Sequence, residues 1–220
     1  MIRISVAILG TIAAAWRCRR GLLIAAMDCR IYNWAMRWIV PRIRFTWHHA
    51  KLPGWKYWRG LRKLKPGHVI LTYSRWQLTS MCIPGELTHA AMCVRPMYKE
   101  VECAEMVSSG WRIVSFWEVC LASRVVILRC DDWDNDYTEM VIANCESFEG
   151  TNYDRQFGLS SWLLSCAELI WHSDFEKRAD VELSDLMGLR KYIKPDDYYA
   201  AAIKPGTNLA VVWDSDLEVR

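Results

Sequence analysis

Past Lys65 the chain is cut by turn residues into short β-type runs, and this punctuation restricts the fold more than any other feature of the sequence. The runs lie at residues 68–73, 87–94, 98–105, 111–116, 124–130 and 209–213. Between the fifth and sixth, Trp133, Tyr137, Met140, Val141, Cys145 and Phe148 recur at helical spacing and stop near Gly150, which predicts one amphipathic helix. A second helix is expected from Ser165 past Ile170. Strands surrounding a central pair of helices specify an α+β domain with a mostly antiparallel sheet. The 220 residues are 52% hydrophobic and show no repeat or low-complexity tract, so one core can form and the disordered and fibrous classes are excluded.

Charge is distributed unevenly along the chain. Residues 1–65 carry fourteen Lys/Arg against one acid, Asp28, whereas residues 66–220 carry fourteen against twenty-four Asp/Glu. We therefore divide the chain into a basic, Trp-rich helical arm at 1–62 and a domain at 63–220. In the arm, aromatic and cationic side chains interleave, among them Trp34, Arg37, Trp38, Arg42, Trp55, Lys56, Trp58, Arg59 and Arg62. Such a mixture suits the headgroup level of an anionic membrane, with ring bodies among acyl chains and cations facing phosphate. It would also suit nucleic acid, but no nucleic-acid motif accompanies it, and the membrane surface is the preferred partner. Packing of these Trp residues onto the acidic body is the plain structural alternative.

Residues 4–16 form a mostly apolar run after Arg3, too short to cross a bilayer as a helix. Ala13-Ala14-Ala15 resembles a small-residue cleavage site, so the run fits an export signal as well as an amphipathic helix, and the helix is the reading taken. Nine cysteines cannot all pair within the chain, and none forms a CxxC pair or a Cys/His cluster at zinc spacing. Buried, reduced cysteines in a reducing, cytoplasmic compartment are expected, with peripheral membrane attachment through the arm. No phosphate-cradling glycine loop is present either, so neither metal nor cofactor is expected.

The chemistry search leads to Ser165-Cys166-Ala167-Glu168. Ser followed three residues later by Glu is a capping box, which puts Cys166 at the first helical position. Unpaired amides and the positive end of the helix dipole there favour a thiolate. A nucleophilic thiol also needs a base. His48 and His49 belong to the arm, His172 sits nearly two turns along the same helix, and His68 and His89 each open an apolar strand. Tyr153, Trp162, Tyr198 and Tyr199 are candidate cleft residues, though aromatics at such positions are commonly core.

Several blocks in order resemble one family. They are Leu64-Lys65-Pro66-Gly67-His68-Val69-Ile70-Leu71, Leu87-Thr88-His89-Ala90-Ala91-Met92, Lys99-Glu100-Val101-Glu102-Cys103-Ala104, the run 125–129, Tyr153-Asp154 ahead of Ser165-Cys166-Ala167-Glu168-Leu169-Ile170, and Ile193-Lys194-Pro195-Asp196-Asp197. Together they are similar to the circularly permuted papain-like thiol hydrolases of the NlpC/P60 superfamily, of the YiiX/YebB-like amidase type. The resemblance implies an antiparallel sheet packed against a nucleophile-bearing helix, with Cys166 as nucleophile, His89 as base and acid, and Glu102, in preference to Glu100, orienting the imidazole. It implies cleavage of an amide or ester through an acyl-thioester, in a peptide, peptidoglycan-like or lipid-linked substrate. His68 departs from the family, which usually has Asp there. Asn144-Cys145-Glu146-Ser147-Phe148 resembles the catalytic block of the lecithin retinol acyltransferase relatives, but Cys145 falls near a helix C-terminus, where the dipole opposes a thiolate. A catalytically silent binding module of the same fold, or a lipid acyltransferase, is the alternative function.

Overall fold

The structure is a computed structural model that describes residues 30, 34, 39, 52–74, 85–96, 101–154, 159, 163–186 and 190–217. Most of the arm expected at 1–62 lies outside the described residues. Its last part forms helix α1 (Gly54–Lys63), entered through Pro53 and ending in the basic pair Arg62 and Lys63.

The domain is built on six strands: β1 (Val69–Tyr73), β2 (His89–Pro96), β3 (Val101–Val107), β4 (Gly110–Ser115), β5 (Arg124–Cys130) and β10 (Leu209–Asp214). They form one sheet in the order β10-β5-β1-β2-β3-β4, with every neighbouring pair antiparallel. All six runs read from the sequence are strands, displaced at their ends by a few residues. Short helix α2 (Phe116–Val119) follows β4, capped by Ser115. The expected helix pair is α3 (Asn135–Ser147) and α4 (Cys166–Ser173). Between them β6 (Asn152–Tyr153) and β7 (Leu163–Leu164) pair in parallel. A small ladder of β8 (Ser184–Leu186) and β9 (Arg190–Tyr192) leads into α5 (Pro195–Ile203), a helix that the sequence reading did not separate from its closing segment.

Alternation along the central strands gives the sheet two apolar faces. Val69, Leu71, Ala90, Met92, Ala104, Met106, Val126 and Leu128 pack against α3, α4 and α5. Ile70, Ala91, Cys93, Cys103, Val125 and Ile127 pack against α1, α2 and Trp213. A sheet covered on both faces is continuously apolar in its middle strands, which explains why β1, β2 and β5 read as unbroken hydrophobic runs. The turn into β1 depends on Gly67, whose φ is +80° and where a Cβ would stand 2.4 Å from Cγ2 of Thr138.

Candidate active site

Helix α4 begins as its sequence requires. Ser165 Oγ accepts from the Glu168 amide at 3.4 Å, and Glu168 Oε2 accepts from the Ser165 amide at 2.7 Å, closing the capping box. Cys166 is therefore the first helical residue, and it is buried at 4% exposure. Tyr198 of α5, fully buried, donates its hydroxyl to the Ala167 carbonyl at 3.3 Å and so ties down the same first turn.

His89 is the first residue of β2, so its ring stands at the end of the sheet. The strand is fixed just upstream: Asp196 of α5 accepts from the Glu86 and Leu87 amides at 3.1 and 3.3 Å. A side chain at Gly85, where φ is +135°, would meet that carboxylate at 2.9 Å. The Thr88 amide then donates to the Thr72 carbonyl at 2.9 Å. Held in this way, the imidazole is hydrogen-bonded through Nε2 to Glu105 Oε2 at 2.6 Å and stands next to the Cys166 side chain, close enough for the two to interact electrostatically. With Nε2 taken by the carboxylate, Nδ1 is the nitrogen left for the sulfur.

The electrostatics follow from burial and charge. Burial alone would lower the His89 pKa, but the Glu105 carboxylate and the neighbouring Cys166 side chain outweigh it and hold His89 well above the ordinary histidine value. Burial would raise the carboxyl of Glu105, and His89 together with Arg112 holds it below the usual range. The ring is 28% exposed against 6% for the Glu105 side chain, so solvent reaches this group from the imidazole side.

Glu102 does not meet His89. It lies three residues from Glu105 on one strand, and an odd separation sends the two side chains to opposite faces. Glu102 instead faces Arg95, 3.8 Å away, which also pairs with Glu146 of α3. The carboxylate at the imidazole is thus Glu105, and Glu102, expected there from the resemblance, faces Arg95 instead. One feature of the sequence is consistent with this placement, and the strand register accounts for it. Glu105 is a lone acid in the apolar run Cys103-Ala104-Glu105-Met106, which in a buried strand demands a partner. In the antiparallel register, Ala91 pairs with Glu105, which makes His89 its diagonal neighbour.

Other candidates are placed as follows. Cys145 is fully buried in the last turns of α3, and burial pushes its thiol up to about 12. His68 accepts from the Lys65 amide through Nδ1 at 3.3 Å and is pushed down to about 4, chiefly by burial, so it caps the turn into β1 as a neutral ring. The His172 ring lies against Phe148 and Trp171. The Tyr199 hydroxyl accepts from Arg124 at 2.9 Å, and the guanidinium lies over its half-buried ring. Tyr153 is half-buried in β6, Tyr198 is a core residue, and Trp162, His48, His49 and Glu100 lie outside the described residues. The described cysteines Cys93, Cys103, Cys120, Cys130, Cys145 and Cys166 are all free and buried. Among the described residues, no three His, Cys, Asp or Glu side chains are grouped to hold a metal ion.

An antiparallel sheet whose strand-borne histidine meets a cysteine opening a packed helix is the arrangement of the papain-like class. A family model described as permuted papain-like amidase enzyme, YaeF/YiiX, C92 family, matches residues 63–216, and the chain belongs to that family of cysteine hydrolases. Among solved structures it is similar to one titled metalloprotein yiiX from Escherichia coli O157:H7, with a TM-score of 0.55 and 15% identity over 69% of this chain and 97% of that one. At that identity the likeness concerns the fold. A search of curated proteins gave no match.

Proposed function

We propose that the protein is an amidase in which Cys166 is the nucleophile, His89 the general base and acid, and Glu105 the group that orients the imidazole. The observation that carries this reading is that His89, bonded to Glu105, stands beside the Cys166 side chain at the N-terminus of α4. His89 takes the thiol proton, and the sulfur attacks the carbonyl carbon of the amide. The developing oxyanion lies where the free amides of the first turn of α4 point. As the tetrahedral intermediate collapses, the C–N bond breaks and His89 returns the proton to the leaving amine. Water, deprotonated by His89, then cleaves the thioester to acid and free thiol.

Amide chemistry comes from the family. The finer substrate, a peptidoglycan-like or lipid-linked amide or ester, is proposed from the arm. Its described part supports that choice: α1 carries Lys56, Arg59, Arg62 and Lys63 without an acid, and its Trp58 is 58% exposed. Trp117 of α2 is 45% exposed, and both rings contact Tyr57, so an aromatic surface continues from the basic helix α1 onto α2. Such a surface fits anionic headgroups. No helix among the described residues is long and apolar enough to cross a membrane.

Activity-based thiol labelling tests the catalytic reading. Selective modification of Cys166, abolished in Cys166→Ser and reduced at least tenfold in His89→Ala, is expected. Equal labelling of every accessible cysteine, indifferent to His89, would favour the silent binding module.

A further inference from the structure

Glu105 has two oxygens, and they do different jobs. Oε2 takes His89, while Oε1 accepts two N–H groups of Arg112, from Nε at 2.8 Å and from Nη2 at 2.5 Å. The pairing does not depend on a loop. Glu105 and Arg112 are direct cross-strand partners in the β3–β4 ladder, so the backbone register itself presents the guanidinium to the carboxylate. Carboxylate and cation differ in setting: the Glu105 side chain is 6% exposed and the Arg112 side chain 51%. A carboxylate so buried takes up a proton unless a charge compensates it. Arg112 can supply that charge without being buried itself, because its outer edge stays in water.

We propose that Arg112 is a positioning residue of the active site, which holds Glu105 ionised and aimed so that Oε2 stays on His89. This inference rests on the reading of Cys166, His89 and Glu105 as the catalytic set. The groups facing Glu105 are His89 from β2 and Arg112 from β4, with Cys166 of α4 reached through the imidazole and Cys103 on its own strand, a thiol pushed upward by burial. Arg112 is therefore the permanent cation of the set, and His89 is a cation only while protonated. A protonated Glu105 would no longer accept from imidazolium, and the pair of His89 and Cys166 would lose its support on the acid side.

The test is the pH dependence of Cys166 alkylation by a neutral haloacetamide, in the full chain, for wild type, Arg112→Gln and Arg112→Lys. In Arg112→Gln the acid limb is expected to move to higher pH by about one unit, the low end of what a lost neighbouring charge does, because Arg112 is partly solvated. Arg112→Lys keeps the charge and loses the fork, and should fall between. If Arg112→Gln does not fold, a shift in Arg112→Lys alone carries the proposal and its absence overturns it. Profiles that superimpose on wild type, or a drop uniform at every pH, would assign Arg112 a purely structural role and overturn the inference while leaving the amidase reading intact. If wild-type labelling itself lacks selectivity for Cys166 or dependence on His89, the amidase reading fails, and this inference fails with it.

Discussion

Replacing Glu105 by Gln removes the negative charge at the imidazole while keeping the shape of the side chain. The hydrogen bond it carries is short, 2.6 Å, and joins a ring 28% exposed to a carboxylate 6% exposed. A hydrogen bond between charged partners in such a setting contributes about 2 kcal/mol, the middle of the measured range. At about 1.4 kcal/mol per pKa unit, that loss lowers the His89 pKa by roughly 1.5 units. In the proposed mechanism imidazolium protonates the leaving amine, so the alkaline limb of kcat/KM on a model amide should move to lower pH by the same amount. At pH values above the wild-type limb, activity would fall by roughly 30-fold at fixed pH. The control is Glu102→Gln, which touches Arg95 and leaves the limb in place. An unmoved limb in Glu105→Gln, or a moved one in Glu102→Gln, would refute the assignment of the orienting carboxylate.

Further outcomes follow from the same structure. Gly67→Ala places a Cβ at 2.4 Å from Thr138 with φ at +80° and should lower stability by about 2 kcal/mol or more, of which Thr138→Ala recovers only the steric part; equal stability of Gly67→Ala and wild type in urea would contradict this. Ser165→Ala removes the cap at the Cys166 helix and should cost about 1 kcal/mol by the same assay, with a lower alkylation rate of Cys166. Glu168 is raised to about 7, mainly by burial, with Asp154 adding to the effect and Ser165 opposing it. The folded state therefore holds a proton that the unfolded state releases above about 4.5, and stability relative to Glu168→Gln should decline by roughly 3 kcal/mol between pH 4.5 and 7 and level off beyond. A flat difference across that window would show that Glu168 is ionised in the folded chain.

Much of the site was legible because it is local. Ser165 and Glu168 announce a capping box by their spacing alone, and Cys166 follows as the first residue of α4 wherever that helix packs. The six strands were legible for a similar reason, since a sheet covered on both faces leaves unbroken apolar runs between turn residues. The ends of the strands were less so. Residues 98–105 were read as one run, whereas β3 covers Val101–Val107 and so extends beyond Glu105.

The sequence by itself determined which residues share a strand face and which residue opens α4, because 2-residue and 3.6-residue periodicities are properties of the backbone. Only the tertiary structure decided which carboxylate meets His89. Glu102 and Glu105 stand on one strand, and the choice between them depends on the pairing of β2 with β3, including the irregularity between Cys93 and Arg95, and on where the ring of His89 turns at the sheet's end. Pairing register and the approach of α4 are set by burial across the whole core, a long-range balance that no short stretch of chain encodes.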